Sequence, residues 1–518
     1  MYKPVVLVVL DGWGIGKSDK GNAITEATLP TIDKLNNFYP NNSLQASGIS
    51  VGLPWGEPGN SEVGHTTIGT GKIIYQSLPR IAMEIQNGEF FKHPSFLKAM
   101  DNANKNNASL HLMGLVGKGA IHSHVDHLYA LLELARDQKV KNVFIHAFTD
   151  GRDCAPDSAA QSIAELQKKM AGYGIGKIAT IGGRYFGMDR NNNWDRIRKA
   201  YDAMTKGEGI KITDPVKYLQ DSYKKDIFDE YIEPAVIVDN DKPLATIRDN
   251  DSVIFFNFRE DRARQITRAF VLPGFMKFKK SELKNLDFVT MTQYEEGVPA
   301  SVAFQPIKVT NCLGKIISQK KGAQLRIAET EKFAHVTYFF NGGQEEPFPK
   351  EDRIIIPSKN VASFDLAPEM SAMEITDTVI DALSKEKYDF ILMNYANADI
   401  VGHTGNEKAT IKAVEAIDKC LGKLIPAVLL KKGCLLITAD HGNAEEIKSS
   451  LTGEINTEHS TNPVPIWFIT NDNHAERNKN KSKDPQGLLS DIAPTILELL
   501  ELEKSEEMTG ESLLPILK

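Results

Sequence analysis

Val5–Leu10 is an unbroken run of six apolar residues, rich in valine, that ends at Asp11. A run without polar alternation predicts a central parallel strand covered on both faces. Similar runs recur at Phe390–Met393, Leu435–Ile437 and Ile466–Ile469, and the first two of these lead quickly into polar residues, Asn394 to Asp399 and Asp440-His441. Apolar residues at three- and four-residue spacing predict helices over Thr410–Leu424 and Ser490–Leu500. Strands that deliver polar residues at their carboxyl ends, alternating with amphipathic helices, describe an open doubly wound α/β sheet. The middle of the chain repeats the pattern. Val143–Phe148 runs into Thr149-Asp150-Gly151-Arg152-Asp153, Ile178–Ile181 into Gly182-Gly183-Arg184, and Ser252–Phe256 into Asn257-Phe258-Arg259. Helices are predicted over His127–Arg136 and Asp157–Met170, and polar surface loops over Asp101–Ala108 and Asn471–Asp484. No internal repeat is visible.

Composition adds bounds rather than a fold. The 518 residues are 41% hydrophobic and 25% charged, near globular averages, which is enough for two large domains or about three ordinary ones. The net charge of −7 gives no electrostatic reason to expect nucleic acid or an anionic membrane as partner. Four cysteines without CxxC spacing read as free thiols in a reducing compartment, and the short N-terminal run does not fit a signal peptide or a membrane span, so the cytoplasm is the expected location.

The candidate chemistry is split between the two ends. Asp11 stands in the first dozen residues; Asp399, His403, Asp440, His441 and His459 all follow residue 398. These are oxygen and nitrogen donors without thiolate, a set that suits Mn²⁺, Zn²⁺ or Mg²⁺, the histidines favouring the first two. Asp399 and His403, four apart, share one face if their segment is helical. Ser61 lies between Gly59 and Gly64 in a turn that lets backbone approach a phosphate, and a nearby metal would activate its hydroxyl. The middle supplies arginines: Arg152 beside Asp153, Arg184, Arg190, Arg259, Arg262 and Arg264, suited to phosphate and carboxylate, with surface salt bridging as the alternative for Arg264 and Arg268. His122-Ser123-His124-Val125-Asp126-His127 reads either as a further metal cluster or as a helix cap that binds anions. Lys332, where the chain returns from the middle to the outer region, is placed to reach into a cleft between lobes. Ligands at both ends with another chemistry between them indicate one domain inserted into another: residues 1–75 and 309–518 outside, 76–308 inside, with hinges near Gly71–Pro79 and Pro299–Thr310.

Taken in order, DGWG at 11–14, GNSEVGH at 59–65, HSHVDH at 122–127, TDGRD at 149–153, NFREDRARQ at 257–265, AETEKFAHVTYFFNGG at 328–343, NYANADIVGHTG at 394–405, TADHGNAE at 439–446 and HSTNPVP at 459–465 resemble the cofactor-independent phosphoglycerate mutases over nearly the whole chain. The resemblance implies an alkaline-phosphatase-like α/β domain carrying an inserted α/β phosphotransferase domain. It implies interconversion of 2- and 3-phosphoglycerate in glycolysis and gluconeogenesis, without 2,3-bisphosphoglycerate. It further implies two Mn²⁺ ions, with Mg²⁺, Zn²⁺ or Co²⁺ as alternatives: one held by Asp399, His403 and His459, the other by Asp11, Ser61, Asp440 and His441. Ser61 would be the phosphorylated nucleophile. His122, Arg152, Asp153, Arg184, Arg190, Arg259, Arg262 and Lys332 would bind substrate, with Asp153 moving protons to and from glycerate hydroxyls. Because a phosphoserine must be shielded from water, the inserted domain is expected to close; a monomer is expected because the lobes must move freely.

Overall fold

The computed structural model describes residues 2–18, 20–280, 282–449, 452–474 and 484–517; of the Asn471–Asp484 loop, 475–483 lie outside the described residues. Contacts divide the chain into two units, with boundaries at 76/77 and 307/308.

The first unit is built on an eight-stranded sheet in the order Glu351–Ile356, Gln324–Glu329, Phe390–Tyr395, Val5–Leu10, Cys434–Thr438, Val464–Ile469, Asn41–Gln45, Gly487–Leu488. Val5–Leu10 is central and wholly buried, pairing in parallel with Phe390–Tyr395 on one side and Cys434–Thr438 on the other. Its valines and leucines contribute about 1.5–3 kcal/mol each by leaving water. The register sets Leu10 beside Tyr395 and Val9 beside Thr438, so the three chains run out at the same edge of the sheet. Asp11 leaves there at once, and the segments that carry Asp399 and Asp440 follow within a few residues.

One direction differs from the parallel reading of the sequence. Val464–Ile469 is antiparallel to both Cys434–Thr438 and Asn41–Gln45. A strand buried on both faces shows the same apolar run in either direction. Direction is decided by the connection: among the described residues, the segment between Thr438 and Val464 holds only a short 3₁₀ turn, Ala444–Glu446, and no crossover helix to return the chain for a parallel pairing. The predicted helix over Thr410–Leu424 is longer, Glu407–Leu430; Asn406 caps it by accepting from the Ala409 amide, and it continues through Pro426.

The second unit has a nine-stranded sheet, in the order Ser301–Phe304, Asp287–Thr292, Ser252–Phe255, Leu110–Leu115, Val143–Thr149, Lys177–Gly183, Ala235–Asp239, Ile210–Ile212, with Lys242–Pro243 paired to Ala235–Asp239. It is parallel except where Ala235–Asp239 meets Lys177–Gly183 and Lys242–Pro243. Helices Val125–Asp137 and Ala159–Tyr173 bury their apolar faces in its core. The four cysteines are free. No helix among the described residues is long and apolar enough to cross a membrane.

Candidate active site

Helix Ser61–Thr70 starts at the residue whose hydroxyl matters. Asn60 caps it, accepting from the Val63 amide at 3.1 Å, which fixes Ser61 in the first turn. Gly64 is required by proximity: a Cβ there would lie 2.7 Å from the Asp440 carbonyl oxygen. The helix therefore presses its N-terminal turn against the loop that carries Asp440 and His441.

Ser61 Oγ donates to Asp11 Oδ1 at 3.0 Å and lies 3.0 Å from His441 Nε2. Lys332 Nζ donates to the same hydroxyl at 2.7 Å, to Asp11 Oδ1 at 2.6 Å and to Asp399 Oδ2 at 2.6 Å. Lys332 follows strand Gln324–Glu329 in the turn Thr330–Lys332, and its side chain is buried inside the first unit rather than reaching outward from it. Burial opposes its charge, but Asp11, Asp399 and Asp440 outweigh that, and the ammonium is held above its ordinary range. Asp11 is the reverse case: burial favours the neutral acid, yet Lys332 and His441 hold it well below the usual carboxylate range. His441 is pushed up to about 9, burial being outweighed by Asp440 and by its hydrogen bond with Asp11.

Three groups of described residues offer converging ligand atoms within 4.8 Å of one another: Asp399, His403 and His459; Asp11, Asp399 and His441; and Asp11, His65 and Asp440. In the first, hydrogen bonding decides the tautomers. His403 Nδ1 donates to the Thr457 carbonyl at 2.7 Å and His459 Nδ1 to the Gly59 carbonyl at 2.8 Å. In each ring Nε2 is then the atom left to meet a cation, and the hydrogen bond with Asp399 raises the pKa of His403. These two nitrogens face each other at 3.0 Å, with Asp399 Oδ1 3.2 Å and 3.0 Å away. Two imidazole nitrogens and a carboxylate oxygen, the latter also accepting from Asn443 Nδ2 at 3.3 Å, converge on a seat for a cation. In the third group, His65 Nδ1 donates to the Ser61 carbonyl at 2.9 Å, while its Nε2 accepts from Asn394 at 3.1 Å. Asp440 Oδ2 is buried without a hydrogen-bond partner, although His65 Nδ1 lies 3.1 Å from it. The donor set fits divalent cations: imidazole nitrogens and carboxylate oxygens, buried except at His403 and partly at His459, with an unclaimed lone pair on Asp440.

The second unit gathers the arginines. Arg184 is buried and donates to Asp150 at 2.6 Å and to Asp153 at 2.7 Å. Asp261 collects Arg190 at 2.7 Å, Arg259 at 3.4 Å and His122 at 3.5 Å. Arg262 donates to the Met188 carbonyl at 3.3 Å, and the cations of Arg184, Arg190 and Arg152 lie near enough to depress it beyond the effect of burial. Arg152 is exposed and pairs with Glu230 at 3.3 Å. The cations of Arg184, Arg190 and Arg152 crowded around Arg262 make a place for an anion. Asp150 and Asp261, which orient these arginines, lie inside the TDGRD and NFREDRARQ motifs, but only the tertiary structure shows which arginines each one holds. Arg268 forms a two-pronged pair with Glu295, and Arg264 donates to the Tyr294 carbonyl.

The HSHVDH segment is absent from the cation-holding groups found among the described residues. His124 caps helix Val125–Asp137, accepting from the Asp126 amide at 3.3 Å. His127 is buried with Nδ1 unpartnered, and burial pushes its pKa down to about 3. The sign follows from the lowered folded value: the unfolded chain binds the proton below about pH 6.5, the native one does not, so stability is lost as pH falls from 6.5 towards 3. His127→Gln is expected to flatten that dependence by about 1.4 kcal/mol per pH unit within the window. Urea melts of both proteins at pH 7, 6 and 5 check this; parallel curves would contradict it.

The comparisons decide the family. The family description "BPG-independent PGAM N-terminus" matches residues 81–296, and "Type I phosphodiesterase / nucleotide pyrophosphatase" matches 332–481. The chain is 52% identical over 513 residues to a 2,3-bisphosphoglycerate-independent phosphoglycerate mutase of Clostridium perfringens, covering 99% of both chains. The chain belongs to the 2,3-bisphosphoglycerate-independent phosphoglycerate mutases. A relative of the same description from Clostridioides difficile is 50% identical, again over 99% of each chain. The solved structure of a phosphoglycerate mutase from Leishmania mexicana, obtained at low cobalt concentration, is 31% identical with a TM-score of 0.53, covering 99% of this chain and 97% of that one. The chain is thus an enzyme of this family, with its two-domain α/β architecture.

Proposed function

We propose that this enzyme interconverts 2-phosphoglycerate and 3-phosphoglycerate without 2,3-bisphosphoglycerate, through a phosphoserine at Ser61. The observation that carries the reading is the position of Ser61 Oγ, held between the Lys332 ammonium, the Asp11 carboxylate and His441 Nε2. Two divalent cations, manganese foremost, are assigned to Asp399, His403 and His459, and to Asp11, Ser61, Asp440 and His441. When bound they supply Lewis-acid charge for the phosphoryl oxygens and for ionising the serine.

Ser61 Oγ forms the new bond to phosphorus as the bond to the glycerate oxygen breaks; the serine gives up its proton and that oxygen gains one. Lys332 stabilises charge on the transferring oxygens, and the amides at the start of helix Ser61–Thr70 face a phosphate on Ser61. His122, Arg152, Arg184, Arg190, Arg259 and Arg262 hold the glycerate as an anion, and Lys332 binds the phosphoryl end. Asp153, which shares Arg184 with Asp150, moves protons at the glycerate hydroxyls. The returning hydroxyl is the other one of the same glycerate, which makes the product an isomer. Such an enzyme works in the cytoplasm, and as a monomer it leaves its lobes free to move.

Chelation is expected to abolish the conversion, and Mn²⁺ to restore it without added 2,3-bisphosphoglycerate. An enolase-coupled assay with parallel measurement of inorganic phosphate tests this. Strict dependence on the bisphosphate, or phosphate release in place of isomerisation, would contradict the reading.

A further inference from the structure

Glu445 is almost fully buried, yet among the described residues no Lys, Arg or His lies within ion-pair distance of it. Its charge is met by four hydrogen-bond donors instead. Oε2 accepts from the backbone amides of Gly14 and Asn443, both at 2.9 Å. Oε1 accepts from Ser460 Oγ and from Asn462 Nδ2, the latter at 3.0 Å. These donors sit on three separate loops. Gly14 is three residues past Asp11, Asn443 two past His441, and Ser460 next to His459.

The surrounding glycines fit the same carboxylate. A Cβ on Gly14 or on Gly442 would fall on the carboxyl group, and one on Gly16 would lie 2.9 Å from Glu445 Cγ. Further backbone bonds stitch the loops at the same place: Ala444 N to Gly12 O at 3.0 Å, Ile15 N to Pro463 O at 2.7 Å and Ser460 N to Gly442 O at 3.1 Å.

We propose that Glu445 is a positioning residue, a single carboxylate that clamps the three loops carrying Asp11, Asp440, His441 and His459 into the spacing that two divalent cations need. This rests on the two-cation reading above. Each oxygen serves one pair of donors, so both oxygens are needed. In Glu445→Gln the charge that these four donors meet is lost and an amide nitrogen replaces one oxygen. Beside Gly14 and Asn443 it faces two backbone N–H groups, and on the other side Ser460 and Asn462 must both reverse to accept from it. The ligands themselves are untouched, so the effect is a loss of preorganisation.

The test is calorimetric titration of the full-length, chelator-stripped protein with Mn²⁺, well below its melting temperature. Wild type is expected to bind two ions. Glu445→Gln, with wild-type circular dichroism, is expected to bind Mn²⁺ about 10- to 100-fold more weakly. Ser460→Ala leaves Glu445 three of its donors and is expected to shift affinity the same way by a smaller factor; it keeps the test open should Glu445→Gln fail to fold. Wild-type Mn²⁺ affinity in a folded Glu445→Gln protein, or in Ser460→Ala if that is the one that folds, overturns the clamp and leaves the two-cation reading standing. A wild-type chain that takes up no Mn²⁺ overturns both.

Discussion

Ser61→Ala is expected to lower kcat by about 10⁴-fold or more and to remove any acid-stable phosphoenzyme. Among the described groups around it the hydroxyl is the nucleophile left over: Asp11 and Asp399 are carboxylates paired with Lys332, and His441 Nε2 is turned onto the serine oxygen. Removing Oγ deletes the atom that would carry the phosphoryl group, while helix Ser61–Thr70 keeps its Asn60 cap and its close approach to Asp440. The fold should be retained. Rapid quenching with labelled 3-phosphoglycerate and an enolase-coupled assay read the two effects separately. Turnover within tenfold of wild type would assign the nucleophile elsewhere.

The second large effect belongs to Lys332. Lys332→Met keeps the length of the side chain and removes its charge, leaving Asp11 and Asp399 in a buried site without the cation that now bridges them at 2.6 Å each. Breaking a buried ion pair from one side costs about 3–5 kcal/mol. The chelator-treated variant should therefore melt at a clearly lower urea concentration than wild type at pH 7. The folded pKa of Asp11 is depressed, so this contribution is present above the ordinary carboxylate range and lost as pH falls below it; the gap between the two proteins should narrow in acid. Mn²⁺ supplies positive charge to the same carboxylates and should stabilise the variant more than it stabilises wild type. Catalysis does not recover in the same way: the loss of a preorganised cation at the transferring oxygens is expected to cost about 10²- to 10³-fold in kcat. Equal melts of the chelator-treated proteins would sink the ion-pair account.

Much of the fold could be read directly from the chain. The run Val5–Leu10 is a central strand because six consecutive apolar residues have no polar face to give to water. The helices over Val125–Asp137 and Glu407–Leu430 follow from their 3.6-residue periodicity, although the ends of the second extend well beyond the clear pattern. The antiparallel course of Val464–Ile469 is invisible in its composition, since burial on both faces erases the alternation that would reveal a direction. Lys332 follows Glu329-Thr330-Glu331 and reads like a surface lysine, but the turn Thr330–Lys332 aims it inward. Glu445 looks like one of a pair of surface acids; the only hint is that glycines at 14, 16 and 442 recur in the loops that close around it.

Residue types and local periodicity are properties of neighbours along the chain, so the sequence by itself determined the strand-and-helix alternation, the placing of polar residues at strand ends and the family likeness. Convergence is a property of neighbours in space. Asp11 and Lys332 are 321 residues apart, and Gly14 and Glu445 431 apart, and only the packed sheet brings each pair into hydrogen-bond distance. The tertiary structure alone decided that His403 and His459 turn their Nε2 atoms towards each other. Their other nitrogens are fixed by backbone carbonyls from distant loops, and no local pattern carries that information.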